Sequence, residues 1–326
     1  MTTIPFSPAS SQISNQIGSA VHEGLSSRPK WLPSWLFYDA SGSQLFDQIT
    51  RTAEYYVTRT ERAILEAHAG EIIAKAAGDA ALRLVELGAG SADKTRLLLT
   101  AAVDRQDTVF YEPVDVSASA LVEAQMRIEN EIPGVLVCPR VQDYTRELEL
   151  DATLASERRL VLYIGSSIGN FEPEEAERLL ASVRSTLDPG DCLLLGVDLV
   201  KPESVLLTAY DDAAGVTAAF NRNLLVRLNR ELDADFRLES FAHRAVWNAT
   251  ESRIEMHLVS RKKQTVWLPG IDARVNFGAG ETIHTENSYK YRSGQAEAIL
   301  AVAGFVPEET WTDEQGWFAV CLARVE

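Results

Sequence analysis

The spacing of apolar and polar positions changes several times along this chain, and each change marks an element. From 59 to about 77 the apolar residues Ile64, Leu65, Ala67, Ile72 and Ile73 recur at helical spacing. Residues 82–87 form a short, mostly apolar run that predicts a strand. A glycine-rich turn and a helix near 94–103 follow it. Residues 108–116 predict the next strand and 117–131 the next helix, with Ser117 placed to cap it. Further strands are predicted over 134–138, 160–164 and 192–200. A helix is predicted over 173–187, where Pro173, Glu174, Glu175 and Glu177 suit a helix N-terminus. Strands alternating with helices predict an α/β fold with a doubly wound, mostly parallel sheet.

The pattern breaks at 200. Residues 201–232 read as helical, and 244–278 as alternating strands. Ile254, Met256 and Leu258 lie on one face, with Arg253, Glu255 and His257 on the other. This predicts an antiparallel α+β insert. Residues 295–304 then read as a helix, and 305–311 and 317–323 as a hairpin. Residues 1–30 are polar and serine-rich, with weak helical character.

Composition narrows the function classes. The chain has 326 residues, 46% of them hydrophobic and 24% charged, which excludes a disordered or low-complexity scaffold and suggests two domains or one decorated domain. With 31 basic and 47 acidic side chains the net charge is −16, which disfavours a nucleic-acid partner. No apolar run is long enough for a membrane span, and no secretory signal is visible, so a cytoplasmic protein is expected. Cys138, Cys192 and Cys321 are expected to be reduced core residues. The five histidines show no metal-ligand spacing, so no metal is expected. Nothing demands more than a monomer.

Four segments carry candidate chemistry, each after a predicted strand. The first runs Val85-Glu86-Leu87-Gly88-Ala89-Gly90-Ser91-Ala92-Asp93-Lys94-Thr95. Gly88 and Lys94-Thr95 fit a phosphate-binding loop, but Asp93 stands where that loop needs glycine. Asp93 also replaces the third glycine of a dinucleotide fingerprint. An E-x-G-x-G loop remains, suited to adenosylmethionine, which has no phosphate to cradle; a plain strand–helix turn is the other reading. Asp115 ends the second strand, where an acid can accept both ribose hydroxyls or simply cap the next helix. Asp143 and Tyr144 follow the third strand, where a carboxylate can take an adenine amino group while the ring stacks. Gly165-Ser166-Ser167-Ile168-Gly169-Asn170-Phe171 follows the fourth, and Asn170 offers a donor and an acceptor or serves as a turn residue.

Longer blocks are more specific. Residues 35–50 (WLFYDASGSQLFDQIT), 54–61 (EYYVTRTE), 209–223 (AYDDAAGVTAAFNRN), 253–256 (RIEM) and 285–288 (TENS) together resemble the histidine-specific Nα-methyltransferases of ergothioneine biosynthesis. The similarity runs from about residue 20 to the end. It implies a Rossmann-like methyltransferase core over 61–199 and 291–326, closed by one antiparallel strand from the C-terminal hairpin. A family-specific α+β substrate-binding domain would span 1–60 and 200–290. The implied reaction is three methyl transfers from S-adenosylmethionine to the α-amine of L-histidine, giving hercynine. By the same resemblance, Gly88, Lys94, Asp115, Asp143 and Tyr144 look like methyl-donor contacts. Tyr55, Asn170 and Tyr210 look like binders of the amino acid's amine and carboxylate. Glu286 and Ser288 look like the imidazole partners, with Asn287 between them. Met256 resembles the residue packing on the ring, and Tyr38 one that orients the amine. Three positions depart from the family: Tyr144 for a frequent Phe, Ser117 for an acid and Val57 for a Pro. A sister enzyme for tryptophan, a non-catalytic adenosylmethionine-binding regulator and a P-loop nucleotidase are the alternatives. Glu286 argues against the first and Asp93 against the last.

Overall fold

The computed structural model describes residues 8–90, 92–150, 154 and 156–326, with side chains from residue 16 onward; Ser91 of the glycine loop lies outside the described residues. The chain divides into two compact units. One, here the core unit, comprises Tyr56–Lys201 and Tyr289–Glu326; the other, the insert unit, comprises Met1–Tyr55 and Pro202–Ser288.

The core unit holds a mixed sheet. In spatial order its strands are Val306–Thr312, Phe318–Arg324, Cys192–Asp198, Glu157–Tyr163, Ala81–Leu87, Val109–Asp115 and Val135–Val137. Those from Cys192–Asp198 to Val135–Val137 pair in parallel, whereas Phe318–Arg324 is antiparallel to both neighbours. Every residue of Cys192–Asp198 is buried, as expected of a strand covered on both faces. The first parallel strand, Ala81–Leu87, lies mid-sheet, where the strand order reverses. In open α/β sheets that switch point opens a crevice at the strands' carboxyl ends. Ser117 caps helix Ala118–Glu131 by accepting from the Ala120 N–H. Glu172 and Glu175 form a reciprocal capping box on Pro173–Ser185.

One expectation fails here. Cys192 and Cys321 are free and buried, but Cys138 is free and exposed. It lies just past Val135–Val137, a short strand at the sheet edge. Alternation turns Val135 and Val137 inward, leaving Leu136 and Cys138 outside.

The insert unit has a four-stranded sheet in the order Lys30–Trp31, Thr282–Tyr289, Arg253–Ser260, Phe241–Asn248. Ile254, Met256 and Leu258 face its core, and Arg253, Glu255 and His257 are half-buried on the other face. Two features differ from the sequence expectation. The strands expected over 244–278 fall into two sheets, because Gln264–Leu268 and Ala273–Phe277 form a separate hairpin and Thr282–Tyr289 completes the main sheet. The helical stretch 201–232 is two helices, Glu203–Tyr210 and Val216–Glu231. The Asp212 carboxylate breaks it by accepting from the N–H groups of Val216 and Thr217, and Gly215 adopts a positive φ of 75°. Helix Pro8–Ser26 precedes this unit's first strand. Among the described residues no helix is long and apolar enough to cross a membrane.

Candidate functional site

In the core unit the glycine loop leaves strand Ala81–Leu87 with positive φ at Gly88 (69°) and Gly90 (49°). The Gly88 N–H reaches the Val114 carbonyl at 2.8 Å, which draws the loop over the neighbouring strand. A Cβ on Gly88 would stand 3.2 Å from the Tyr144 hydroxyl, whereas one on Gly90 would meet open space. Tyr144 therefore packs on Gly88, and its ring meets Tyr163 edge-on at 5.9 Å. Asp115 braces the loop: Oδ2 accepts from the Gly90 N–H at 3.2 Å and Oδ1 from the Ser117 N–H at 2.9 Å. Asp115 thus ties the glycine loop to the start of the following helix. Asp143 is tied into its own turn, with Oδ1 accepting from the Thr145 N–H (3.1 Å) and hydroxyl (2.6 Å).

Two buried glutamates hold this arrangement, and the sequence reading gave neither a structural role. Glu86 ends the first strand and accepts from the Thr95 hydroxyl at 2.6 Å and from the Tyr111 hydroxyl. Burial pushes its carboxyl up to about 7, against those two hydrogen bonds. Glu61, on helix Val57–Ala77, is fully buried. It pairs with Lys94 through one oxygen and accepts from the Gly165 N–H at 2.7 Å through the other. Lys94 therefore sits beside the Gly165–Phe171 loop. There Gly165 and Ser166 adopt positive φ (84° and 58°), and Ser167–Asn170 forms a 3₁₀ turn that ends on the half-buried Asn170.

The insert unit gathers three of the expected tyrosines into an aromatic chain. Tyr38 meets Phe46 at 6.0 Å, Phe46 meets Tyr55 at 6.3 Å, and Tyr55 meets Tyr210 at 6.1 Å, all edge-on. The Tyr210 and Ser288 hydroxyls lie 2.7 Å apart. Phe46 and Phe220, which fill this chain, were not singled out from the sequence, although both lie inside the blocks that carry the resemblance. A polar relay supports Tyr210 from behind. His243 Nε2 lies 2.8 Å from the Tyr210 carbonyl, and Asn221 donates to His243 Nδ1 at 2.9 Å, which assigns the ring proton to Nε2. Burial holds His243 below its ordinary pKa, which favours the neutral ring. The Thr285 hydroxyl lies 2.9 Å from Asn221 Oδ1 and 3.0 Å from the Met256 carbonyl, and its one proton is shared between these two acceptors. Met256 is buried on its strand, and Glu286 and Asn287 are half-buried on the next.

His257, His284 and Glu255 bring donor atoms within 4.8 Å of one another, a group that chain spacing hid because His284 comes from an adjacent strand. The two rings stack at 4.8 Å. Glu255 already accepts from Asn248 and Arg253, each at 2.9 Å, and Arg244 stands opposite His257 in register. A cation entering here would meet two guanidiniums. Burial, then the neighbouring His284, draws His257 down to about 4. The unfolded ring therefore binds more protons between pH 4 and 6.5, and stability is lost as pH falls through that window. Thermal unfolding between pH 6.5 and 4.5 is expected to lose on the order of 1 kcal/mol per pH unit from this ring. His257→Gln should flatten that slope, and an unchanged slope refutes the assignment.

Comparison with known proteins places these features in a family. The family model described as "Histidine-specific methyltransferase, SAM-dependent" matches residues 17–325. The chain is 48% identical over 303 residues to a histidine N-alpha-methyltransferase of Mycolicibacterium smegmatis, covering 93% of each chain. It is 44% identical to one of Mycobacterium tuberculosis, again over 93% of each. A 4-dimethylallyltryptophan N-methyltransferase of Aspergillus fumigatus is 25% identical over 92% of this chain and 91% of its own. With a model matched from the first helix to the last strand, the chain belongs to the histidine-specific, S-adenosylmethionine-dependent methyltransferase family.

Proposed function

We propose that this protein transfers three methyl groups in succession from S-adenosylmethionine to the α-amine of L-histidine, giving hercynine, as a cytoplasmic monomer. One observation within the chain carries the choice of substrate. Glu286 and Ser288 lie two residues apart on one strand, and the Ser288 hydroxyl is already oriented by Tyr210. A neutral imidazole carries one donor and one acceptor, which a carboxylate and a hydroxyl satisfy together.

The core unit fits the methyl donor. Gly88 lacks a side chain beside the Tyr144 hydroxyl, and Gly90 opens on free space. Asp115 stands at the strand end where ribose hydroxyls are held in related sheets. Asp143 and Tyr144 serve the base, and Lys94 the amino-acid moiety. When bound, the donor supplies an electrophilic methyl on a sulfonium. Asp115→Ala is expected to weaken adenosylmethionine binding roughly 10–100-fold, the loss of hydrogen bonds to a charged acceptor. Calorimetric titration measures it, and unchanged affinity removes Asp115 from the site.

The insert unit serves the amino acid. By the family resemblance Tyr55, Asn170 and Tyr210 are assigned to its amine and carboxylate, and Met256 to the ring. These residues supply position and a dry site rather than a strong base. The amine loses a proton after the first and second transfers; the dimethylated amine has none to lose once neutral. Tyr38 orients the lone pair and faces the growing positive charge.

Mass spectrometry after incubation with adenosylmethionine and an equimolar panel of amino acids tests the reading. Trimethylhistidine alone is the expected product. Methylation of an indole amino acid instead would favour the activity named for the Aspergillus relative and overturn Glu286 and Ser288 as imidazole readers. Adenosylmethionine binding without turnover would make the protein a regulator.

A further inference from the structure

Asp198 ends strand Cys192–Asp198 in the core unit and is wholly buried. Its Oδ1 accepts from Lys201 Nζ at 2.6 Å. Its Oδ2 accepts from Lys290 Nζ at 2.8 Å and from the Tyr56 hydroxyl at 2.7 Å. Lys201 Nζ also donates to the Tyr56 hydroxyl at 2.9 Å and stands over that ring, 4.3 Å from its centroid. The side chains of Asp198 and Lys290 are 0% exposed and that of Lys201 is 1%. One carboxylate thus faces two ammonium groups out of water. Burial draws Lys201 down to about 8 even though Asp198 acts to raise it.

Such a cluster is a poor way to gain stability. Each buried ion forfeits several kcal/mol of hydration, and apolar replacements of buried ion pairs are often neutral or stabilising. Its place along the chain suggests a different use. The chain passes between the two units at three points: 55/56, 201/202 and 288/289. Tyr56, Lys201 and Lys290 lie within two residues of these points, one at each, and all three bond Asp198. Tyr56 directly follows Tyr55, and Lys290 follows Ser288 by two. The Asp198 N–H donates to the Ser166 hydroxyl at 2.9 Å, at the start of the loop that carries Asn170. Backbone bonds tighten the same knot, since Tyr291 N–H reaches the Asp198 carbonyl at 2.8 Å and Val200 N–H the Tyr291 carbonyl at 2.9 Å.

We propose that Asp198, with Tyr56, Lys201 and Lys290, is a positioning cluster for the amino-acid substrate, acting through the backbone at the bases of Tyr55 and Ser288. It touches neither substrate nor methyl donor, and it rests on the histidine reading above. An alternating apolar cluster would bury as well, but it would not fix three chain segments on one atom pair with directional bonds.

The test uses the full chain with Tyr56→Phe and Asp198→Asn, measuring KM and kcat for histidine, adenosylmethionine affinity by calorimetry, and Tm. Tyr56→Phe keeps the ring and removes only the hydroxyl, so it reports even if Asp198→Asn does not fold. For Tyr56→Phe the KM for histidine should rise roughly 3–10-fold, with kcat and donor affinity within about twofold of wild type. Asp198→Asn should raise KM further in the same direction. A lowered Tm with unchanged KM makes the cluster purely structural and overturns the proposal. Parallel losses in donor affinity and in KM also overturn it, since the effect would then not be specific to the amino acid. If the wild type binds the donor but does not methylate histidine, the histidine reading fails and takes this proposal with it. An active wild type with indifferent variants refutes the cluster's role alone.

Discussion

Glu286→Ala is expected to lose about 2–4 kcal/mol of discrimination for histidine, a roughly 30- to 1000-fold fall in kcat/KM relative to an amino acid without an imidazole. The expectation follows from hydrogen-bond accounting. Glu286 is half-buried on strand Thr282–Tyr289 and Ser288 is buried two residues on. The Ser288 and Tyr210 hydroxyls are 2.7 Å apart. In the proposed complex the Ser288 hydroxyl donates to one ring nitrogen, and Glu286 accepts from the other. An alanine at 286 leaves the ring N–H without its acceptor, and a site built around paired polar groups discriminates chiefly through the cost of leaving them unpaired. Glu286→Gln keeps an acceptor without the charge and should fall between. Competition kinetics on a mixture of histidine and phenylalanine measure the ratio. A variant with wild-type preference would sink the imidazole assignment while leaving the methyl-donor site intact.

Glu61→Ala is expected to destabilise the protein by about 2–3 kcal/mol, the loss when a charged hydrogen-bond acceptor is removed and a buried donor is left unpaired. The carboxylate is fully buried and serves two groups at once, the Lys94 ammonium and the Gly165 N–H at 2.7 Å. Truncation unpairs the partly exposed Lys94 ammonium and orphans a backbone donor in the same step. Glycine at 196 belongs to the same arrangement, because a Cβ there would collide with Glu61 Oε1. Glu61→Gln preserves the acceptor for Gly165 and loses only the charge, so comparing the two variants by denaturant unfolding separates the contributions. A loss below about 1 kcal/mol for the alanine variant would mean that the pair carries little of the loop's stability. The Lys94 side chain would then be free to move, and donor affinity should change with it.

The sequence made the core sheet legible because its strands are short apolar runs separated by capped helices, and period and caps are local signals. Ser117 and the acidic start at Pro173 behaved as such signals predict. The break between Glu203–Tyr210 and Val216–Glu231 was also written locally, in Asp212 and Gly215, but continuous helical spacing on both sides masked it. Other features had no local trace. Lys30–Trp31 pairs with Ile283 and His284, so its strand exists only through a partner far along the chain. The partners of Glu61, and two of the three of Asp198, are likewise distant in sequence, and an isolated Lys or Glu reads as surface until its partner is known. Cys138 shows the opposite case: its run is apolar throughout, but an edge strand buries only alternate residues. The candidate site residues were legible through long family-like blocks, whereas Phe46, Asn221 and His243, which prop them, became visible only through packing.

Phe318–Arg324 lies between Val306–Thr312 and Cys192–Asp198 in the sheet, yet it follows every other strand in the chain. During synthesis, the parallel strands therefore emerge from the ribosome before the segment that covers their edge. A nascent chain ending short of 318 presents Cys192–Asp198, a strand with no exposed position in the finished fold, as an open, apolar template. The segment that completes the sheet is translated after the strands it covers, so termination before it would produce an aggregation-prone chain rather than a slightly shortened enzyme.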